Sequence, residues 1–286
     1  LGYLLLCAFA AGLLAYPLHR LLQGAIAFET LVNRGGELIL VLGLIPLSRH
    51  LGIHATDIGL PGCRRTFLRQ VKRGLLLGVL MLGLHMLLLL ALEARTLNYQ
   101  KLEAMRLLRL AFKGLLIGAA VAAVEEPVFR GFLLGCLLRK VGQVRAVAIA
   151  SFYFAALHFL DTDLNPQPDE IRWNTGLALV IDAFRHLPLA QADAFFALFA
   201  AGALLACVRI WRPWGLGYCI GLHMGWVFVI KTVKPFTRIG DHPLLPGLIS
   251  QYDGVIGLVS AGWSTLLVGM LLPVLLRRSP YRPIRD

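Results

Sequence analysis

Charge is scarce in this chain. Asp, Glu, Lys and Arg make up 15% of its 286 residues, against about 25% in an ordinary soluble domain. With a hydrophobic fraction of 58% and a mean hydropathy of +0.72, that deficit sets the chain apart from soluble globular proteins. Thiol chemistry is thin as well. Cys7, Cys63, Cys136, Cys207 and Cys219 include no CxxC pair, which removes a disulfide framework and a thiolate zinc site. No HExxH occurs, so the usual zinc-helix signature is missing. No GxSxG occurs, no Ser–Lys or Ser–His arrangement is evident in the apolar segments, and no pair of intramembrane Asp residues is present. These absences argue against serine and aspartyl intramembrane proteolysis. No internal repeat of the transporter kind and no low-complexity tract is found.

What the chain has is apolar runs long enough to cross a bilayer, since roughly 18 residues or more suffice. Eight spans are predicted, near 2–18, 36–48, 74–92, 114–138, 143–160, 190–210, 214–231 and 254–276. The second is short and is expected to end at Pro46. The runs do not alternate as barrel strands would, so helices are the only spanning structure that satisfies the backbone. The expectation is an all-α integral membrane protein of about eight transmembrane helices, with a buried polar site between helices, forming one transmembrane domain over 1–286. The opening run lacks a basic flank and a small-residue cleavage site, and is read as a span rather than a signal peptide.

The formal net charge is +12. Its basic residues sit in short loops between apolar runs, a placement that topology and anionic lipid explain better than nucleic acid does. Arg49, Arg64, Arg65, Arg69, Lys72 and Arg73 crowd the loop 49–73 against a single acid, Asp57. Arg139, Lys140 and Arg145, and the tail arginines from Arg277 onward, fall on the same side of an eight-span arrangement. The positive-inside bias makes that side, with the C-terminus, cytoplasmic. The expected location is a bacterial inner membrane. The acidic loop 161–189 falls on the opposite side. The stretch 95–113, with Arg95, Lys101, Arg106, Arg109 and Lys113, conflicts with this orientation. Its apolar residues recur at helical spacing, and it is expected to be an amphipathic helix lying in the interface.

Ionisable groups at membrane depth are costly and mark sites. The fourth span holds Glu125-Glu126-Pro127-Val128-Phe129-Arg130. Each such charge at the bilayer centre costs about 2.5 to 3.5 kcal/mol on insertion scales, so this cluster must face protein or water. Glu126 and Arg130 stand at i,i+4 and are expected to pair. Glu125 lies about 100° round the helix from them. Pro127 removes a backbone N–H and is expected to kink the span near Ala123. The fifth span ends with Phe154 and His158 at i,i+4. The seventh carries His223 near its middle, flanked by Gly221 and Gly225 at a spacing that lets a neighbouring helix come close. His85, in the third span, has no companion motif and is read as structural.

An acid, two imidazoles and a guanidinium from three spans can hydrolyse an amide. A carboxylate in a low-dielectric site can act as general base on water. Imidazoles can share its proton or donate to the oxyanion. Glu125, His158 and His223 could also ligate a divalent metal with an open position.

The order and placement of Glu125-Glu126-xxx-Arg130, Phe154-xxx-His158 and His223 resemble the CPBP family. Its members are CAAX prenyl proteases of the type II kind and their bacteriocin-processing and Abi-like relatives. The resemblance covers a core of about 114–232 and implies an intramembrane endopeptidase. By that analogy Glu125 activates water with help from His158, His223 binds the oxyanion, and Glu126 and Arg130 organise the site. It favours a glutamate-based mechanism with no metal cofactor. The partners it implies are a peptide or protein substrate at the membrane and the lipid bilayer. The family pattern places Asn or Asp four residues after the last His. Here that position is Val227, with Trp226 adjacent and Lys231 one turn on as the nearest polar groups. The departure keeps open a peptide-binding or immunity protein that does not cut. A transporter built around Glu125 is a third reading, disfavoured by the lack of repeats.

Overall fold

The computed structural model describes residues 2–98, 103–160, 162–185, 191–212, 214–240, 249–250 and 252–277. Its helices are α1 (Gly2–Leu21), α2 (Phe28–His50), α3 (Arg64–Ala91), α4 (Ala104–Glu126), α5 (Leu134–Leu138), α6 (Gln143–Leu157), α7 (Thr175–Arg185), α8 (Ala192–Trp211), α9 (Leu216–Val233) and α10 (Leu258–Arg277). A π-helical turn, Pro127–Leu133, joins α4 to α5. Two three-residue strands, β1 (Arg95–Leu97) and β2 (Thr237–Ile239), pair antiparallel with Thr96 opposite Arg238. A helix coincides with each of the eight predicted spans. Six apolar stretches are long enough to cross a membrane, and α6 and α10 add shorter apolar helices. The chain is an all-α, multi-pass membrane protein.

The fold consists of two compact units, Leu1–Ile53 with Ala156–Leu189 and His54–Ala155 with Ala190–Asp286. In the first, α1 packs against α2 and α7. Gly12 and Gly176 bring α1 and α7 together, and a Cβ on Gly12 would stand 2.9 Å from the Gly176 carbonyl oxygen. Ala15, Phe28, Val32, Leu179 and Val180 form the core. Helix α7 was not anticipated, since the segment 161–189 was expected to be an acidic loop. The buried Leu179 and Val180 anchor it, and the apolar period of Leu177, Val180, Ile181 and Phe184 was the available signal. Helix α2 also runs through Pro46 to His50 instead of ending there.

The second unit is built round α9. Helix α3 lies parallel to it, with Gly74 and Gly78 facing Tyr218 and Leu222, and α4 lies antiparallel, with Gly118 facing Met224. Lipid offers no hydrophobic drive between helices, so close backbone approach through small residues has to supply the packing energy. The opposite face of α3 carries the exposed Leu76, Leu80, Leu84 and Leu87, which suits contact with acyl chains. A Cβ added at Gly225 would stand 2.7 Å from the Leu75 carbonyl oxygen, whereas one at Gly83 would meet nothing within 4 Å. Gly225→Ala is therefore expected to destabilise by about 1–3 kcal/mol through overpacking. Gly83→Ala should leave the thermal midpoint in detergent unchanged or slightly raised, since Ala is the better helix former. Equal midpoints for the two variants would remove the close-approach argument.

Two local expectations are corrected here. Residues 95–113 do not form one interfacial helix. Arg95–Leu97 is strand β1, and the helix that starts at Ala104 continues unbroken to Glu126. Arg95 is buried, with its Nε donating to Thr237 Oγ1 at 2.7 Å and its Nη groups donating to the carbonyls of Thr237 and Gly254. Those partners lie some 140 residues or more along the chain, so local periodicity carries no trace of them. At Pro127, in turn, the helix stays continuous and changes its type, with α4 regular through Ala123. The hydrogen-bond register widens to i→i+5 at the proline itself, which accommodates the missing N–H.

On the side of α3's N-terminus, Arg139 pairs with Asp57 at 2.5 Å. Burial works against the Asp57 charge. The Arg139 side chain and the His54 backbone N–H outweigh it and hold the carboxyl below the usual carboxylate range. Arg209, buried at the end of α8, donates to the Asp57 carbonyl at 2.9 Å. His85 is fully buried, with Nε2 3.4 Å from the Val255 carbonyl oxygen, beside Met86 and Leu89. That is the environment of a packing residue.

Candidate active site

Three charged or titratable side chains meet where α4, α9 and the π-helical turn converge. Glu126 is 0% exposed, Arg130 2% and His223 7%. Arg130 Nη1 donates to Glu126 Oε1 at 3.1 Å, and the same oxygen lies 2.8 Å from His223 Nδ1. The i,i+4 pair expected on a regular helix forms across the start of the π-helical turn. Here Glu126 is the last α-helical residue and Arg130 sits on the wider helix. Glu126 Oε2 is shielded from solvent and has no hydrogen-bond partner among the described residues.

Arg130 is held from two further directions. Its Nη2 donates to the Gly202 carbonyl on α8 at 3.4 Å. Its guanidinium carbon stands 4.0 Å from the centre of the Phe154 ring, a cation–π arrangement that gains strength away from water. Phe154 also meets Phe129 and His223 edge-on, with ring centres 5.3 and 6.1 Å apart. Trp226 lies next to His223 at 6.4 Å between ring centres. The fold thus brings together five residues marked in the sequence: Glu126, Arg130, Phe154, His223 and Trp226.

An ionised carboxylate accepts hydrogen bonds and cannot donate, so the proton between Glu126 and His223 belongs to Nδ1. Carboxylates that orient an imidazole in this way fix which nitrogen faces a substrate. Nε2 of His223 is the ring nitrogen that Glu126 does not engage. With the imidazole neutral it accepts, and with the imidazole charged it donates.

Glu125 is half-buried on the last turn of α4. His158 lies one residue beyond α6, in the first unit, and is also half-buried. Its chain neighbours Leu157 and Leu160 line a cavity of about 200 Å³ in that unit, together with Glu29, Asn33 and Glu37. Among the described residues no three His, Cys, Asp or Glu side chains are grouped closely enough to hold a metal ion.

Sequence reasoning missed two supports of Arg130: the Gly202 carbonyl and the Phe129 ring. The first left a faint signal in the small-residue run Ala200-Ala201-Gly202-Ala203. A Cβ on Gly202 would press on the Phe154 ring at 3.1 Å. Lys231 does not stand in for the polar residue missing at Val227. It is eight residues past His223, about 12 Å along the helix axis, and lines a different cavity.

Residues 107–229 match the family described as type II CAAX prenyl endopeptidase Rce1-like. The chain carries an Rce1-like segment. This is the family to which the Glu125-Glu126-xxx-Arg130, Phe154-xxx-His158 and His223 pattern pointed, and the Rce1-like segment contains all of those residues. No curated protein and no solved structure matches the chain.

Proposed function

We propose that the chain is an intramembrane endopeptidase in which Glu125 acts as general base on the attacking water. The observation that carries this reading is the buried Glu126–Arg130–His223 cluster inside an Rce1-like segment. Burying three such groups in an apolar bundle is costly. A scaffold would be served as well by apolar packing.

Glu125 removes a proton as the water oxygen bonds to the scissile carbonyl carbon, and charge develops on the carbonyl oxygen. His223, as imidazolium, donates from Nε2 to that oxyanion. With Glu125 and Glu126 ionised and Arg130 and His223 charged, the four groups sum to zero, so the site carries no net charge into the step. Glu125 then gives its proton to the leaving nitrogen as the C–N bond breaks. His158 assists the proton transfers. The reading assigns no step to a metal.

The substrate is a membrane-associated or lipid-anchored peptide. The Lys/Arg bias of the loops supports an orientation with the C-terminus in the cytoplasm, and the membrane proposed is a bacterial inner membrane. Val227 favours a second reading, a peptide-binding or immunity protein using the same pocket, because no polar side chain is present there to share the oxyanion.

A farnesylated CAAX reporter peptide, with the full chain in bilayer discs, separates the two. Cleavage is expected, and His158→Ala and His223→Ala should each lower kcat/KM by about 10²–10⁴-fold while the protein still inserts. An undiminished rate in His223→Ala would remove the oxyanion role. A chain that binds the peptide without cutting it, and binds it equally well as Glu125→Gln, would favour the second reading.

A further inference from the structure

A second polar feature lies at the other end of α9, outside the candidate active site. Arg95, Lys113, Lys231 and Lys234 line a cavity of about 480 Å³, with Ile117 and Ile230 on its wall. No carboxylate lines it, and none of the four cations forms an ion pair among the described residues. The bonds of Arg95 go to neutral acceptors: the Thr237 hydroxyl and the backbone carbonyls of Lys234, Thr237 and Gly254. These bonds fix its guanidinium at the cavity wall; the carboxylate that acts on it is Asp253, through space and without an ion-pair contact. Lys113 and Lys231 are exposed, and Lys234 is half-buried. Four like charges round one cavity repel each other, and an anion relieves that repulsion.

The surroundings define the anion. Lys113 and Lys231 lie on the spanning helices α4 and α9, close to the ends that meet the β1–β2 ladder. Beside Lys113 on α4, Leu108, Phe112 and Leu116 stand exposed at four-residue spacing, Phe112 at 65%. That row lies on the face of α4 next to the one that carries Leu110, Lys113 and Ile117, and gives acyl chains an apolar surface beside the cavity. Cations at headgroup depth flanked by an apolar helix face suit a phosphodiester with two tails. A soluble anion would have no use for the row.

We propose that this cavity binds the headgroup phosphate of an anionic phospholipid, held by Lys113, Lys231 and Lys234 over the fixed Arg95. The assignment is independent of whether the chain cuts peptides. It also gives a physical reason for the basic stretch that conflicts with the positive-inside bias, because those charges serve a lipid site.

The test is native mass spectrometry of the detergent-purified full chain, titrated with phosphatidylglycerol or phosphatidylcholine. Phosphatidylglycerol is expected to bind preferentially. The combined variant Lys113→Gln, Lys231→Gln, Lys234→Gln should weaken it about tenfold or more. The combined variant Arg64→Gln, Arg65→Gln, Arg69→Gln removes the same charge from exposed positions at the other end of the unit and should leave binding intact. Equal affinity for the two lipids, wild-type affinity in the lysine variant, or an equal loss in the arginine variant would each overturn the proposal. Displacement of phosphatidylglycerol by inorganic phosphate would assign the site to a soluble anion instead. Displacement by a peptide with a free C-terminal carboxylate, but not by its amide, would assign it to a peptide end. If the lysine variant does not fold, Lys113→Gln and Lys231→Gln carry the test singly. Each is expected to lose affinity several-fold, and wild-type affinity in both overturns the proposal.

Discussion

In Glu125→Ala, cleavage of the reporter peptide is expected to fall by about 10²–10⁴-fold, the cost of losing one positioned base. The loss should appear in kcat with little change in KM, since Glu125 is assigned to the reaction and not to holding the peptide. Glu125→Gln keeps the shape and hydrogen-bonding capacity of the side chain but cannot take a proton, so it should be as inactive as the alanine variant. Glu125→Asp shortens the reach by one methylene and should retain a fraction of the rate. Full activity in Glu125→Gln would end the general-base assignment. Stability should change least in Glu125→Gln, which keeps the size and hydrogen-bonding atoms of the side chain.

The opposite profile is expected one residue on. Glu126→Gln leaves Arg130, 2% exposed, without its only carboxylate among the described residues. Breaking a buried pair from one side costs about 3–5 kcal/mol, because the remaining charge stays desolvated. The Gly202 carbonyl and the Phe154 ring still face the guanidinium, but neither carries a full negative charge. The thermal midpoint in detergent should therefore drop steeply. Removing both charges together, as Glu126→Gln with Arg130→Met, should recover most of the loss, since apolar replacement of a buried pair is often neutral. The double variant should still be inactive, because His223 loses the carboxylate that orients it. A double variant that regains both stability and rate would reduce Glu126 and Arg130 to packing. A Glu126→Gln chain as stable as the parent would show that the pair contributes nothing to the fold.

These two contrasts also mark how far the sequence could be read. The Glu126–Arg130 pair was legible because it is local. Residues four apart on a helix are neighbours whatever surrounds them, and the pair survives the wider π-helical turn. The glycines of α9 were legible for a similar reason, since small residues one turn apart on an apolar helix have few uses other than close packing. The contact between His223 and Glu126 was not legible. Both residues were marked as functional, but which acid the imidazole reaches depends on how α4 and α9 are set against each other. Arg95 is the clearest misreading. In sequence it is one of several basic residues in a stretch whose apolar residues recur at helical spacing, and the β1–β2 pairing with the carbonyls of Lys234 and Gly254 takes it out of solvent. Helix α7 is only 11 residues long and stands in an acidic stretch, so its short apolar period is a weak local signal.

By itself the sequence determined that the chain crosses a membrane, about how often, and which few polar residues do not belong in lipid. Each of these follows from the free energy of moving one segment, or one side chain, from water into hydrocarbon, and that is a property of the segment alone. Tertiary structure decided which oxygen of which glutamate His223 touches, what surrounds Arg130, and that four basic residues from two helices, a strand and the turn after α9 ring one cavity. Those are relations between segments far apart in the chain. They are set by how closely glycine-bearing helix faces approach and by where buried donors find carbonyls, and no local period in the sequence encodes either.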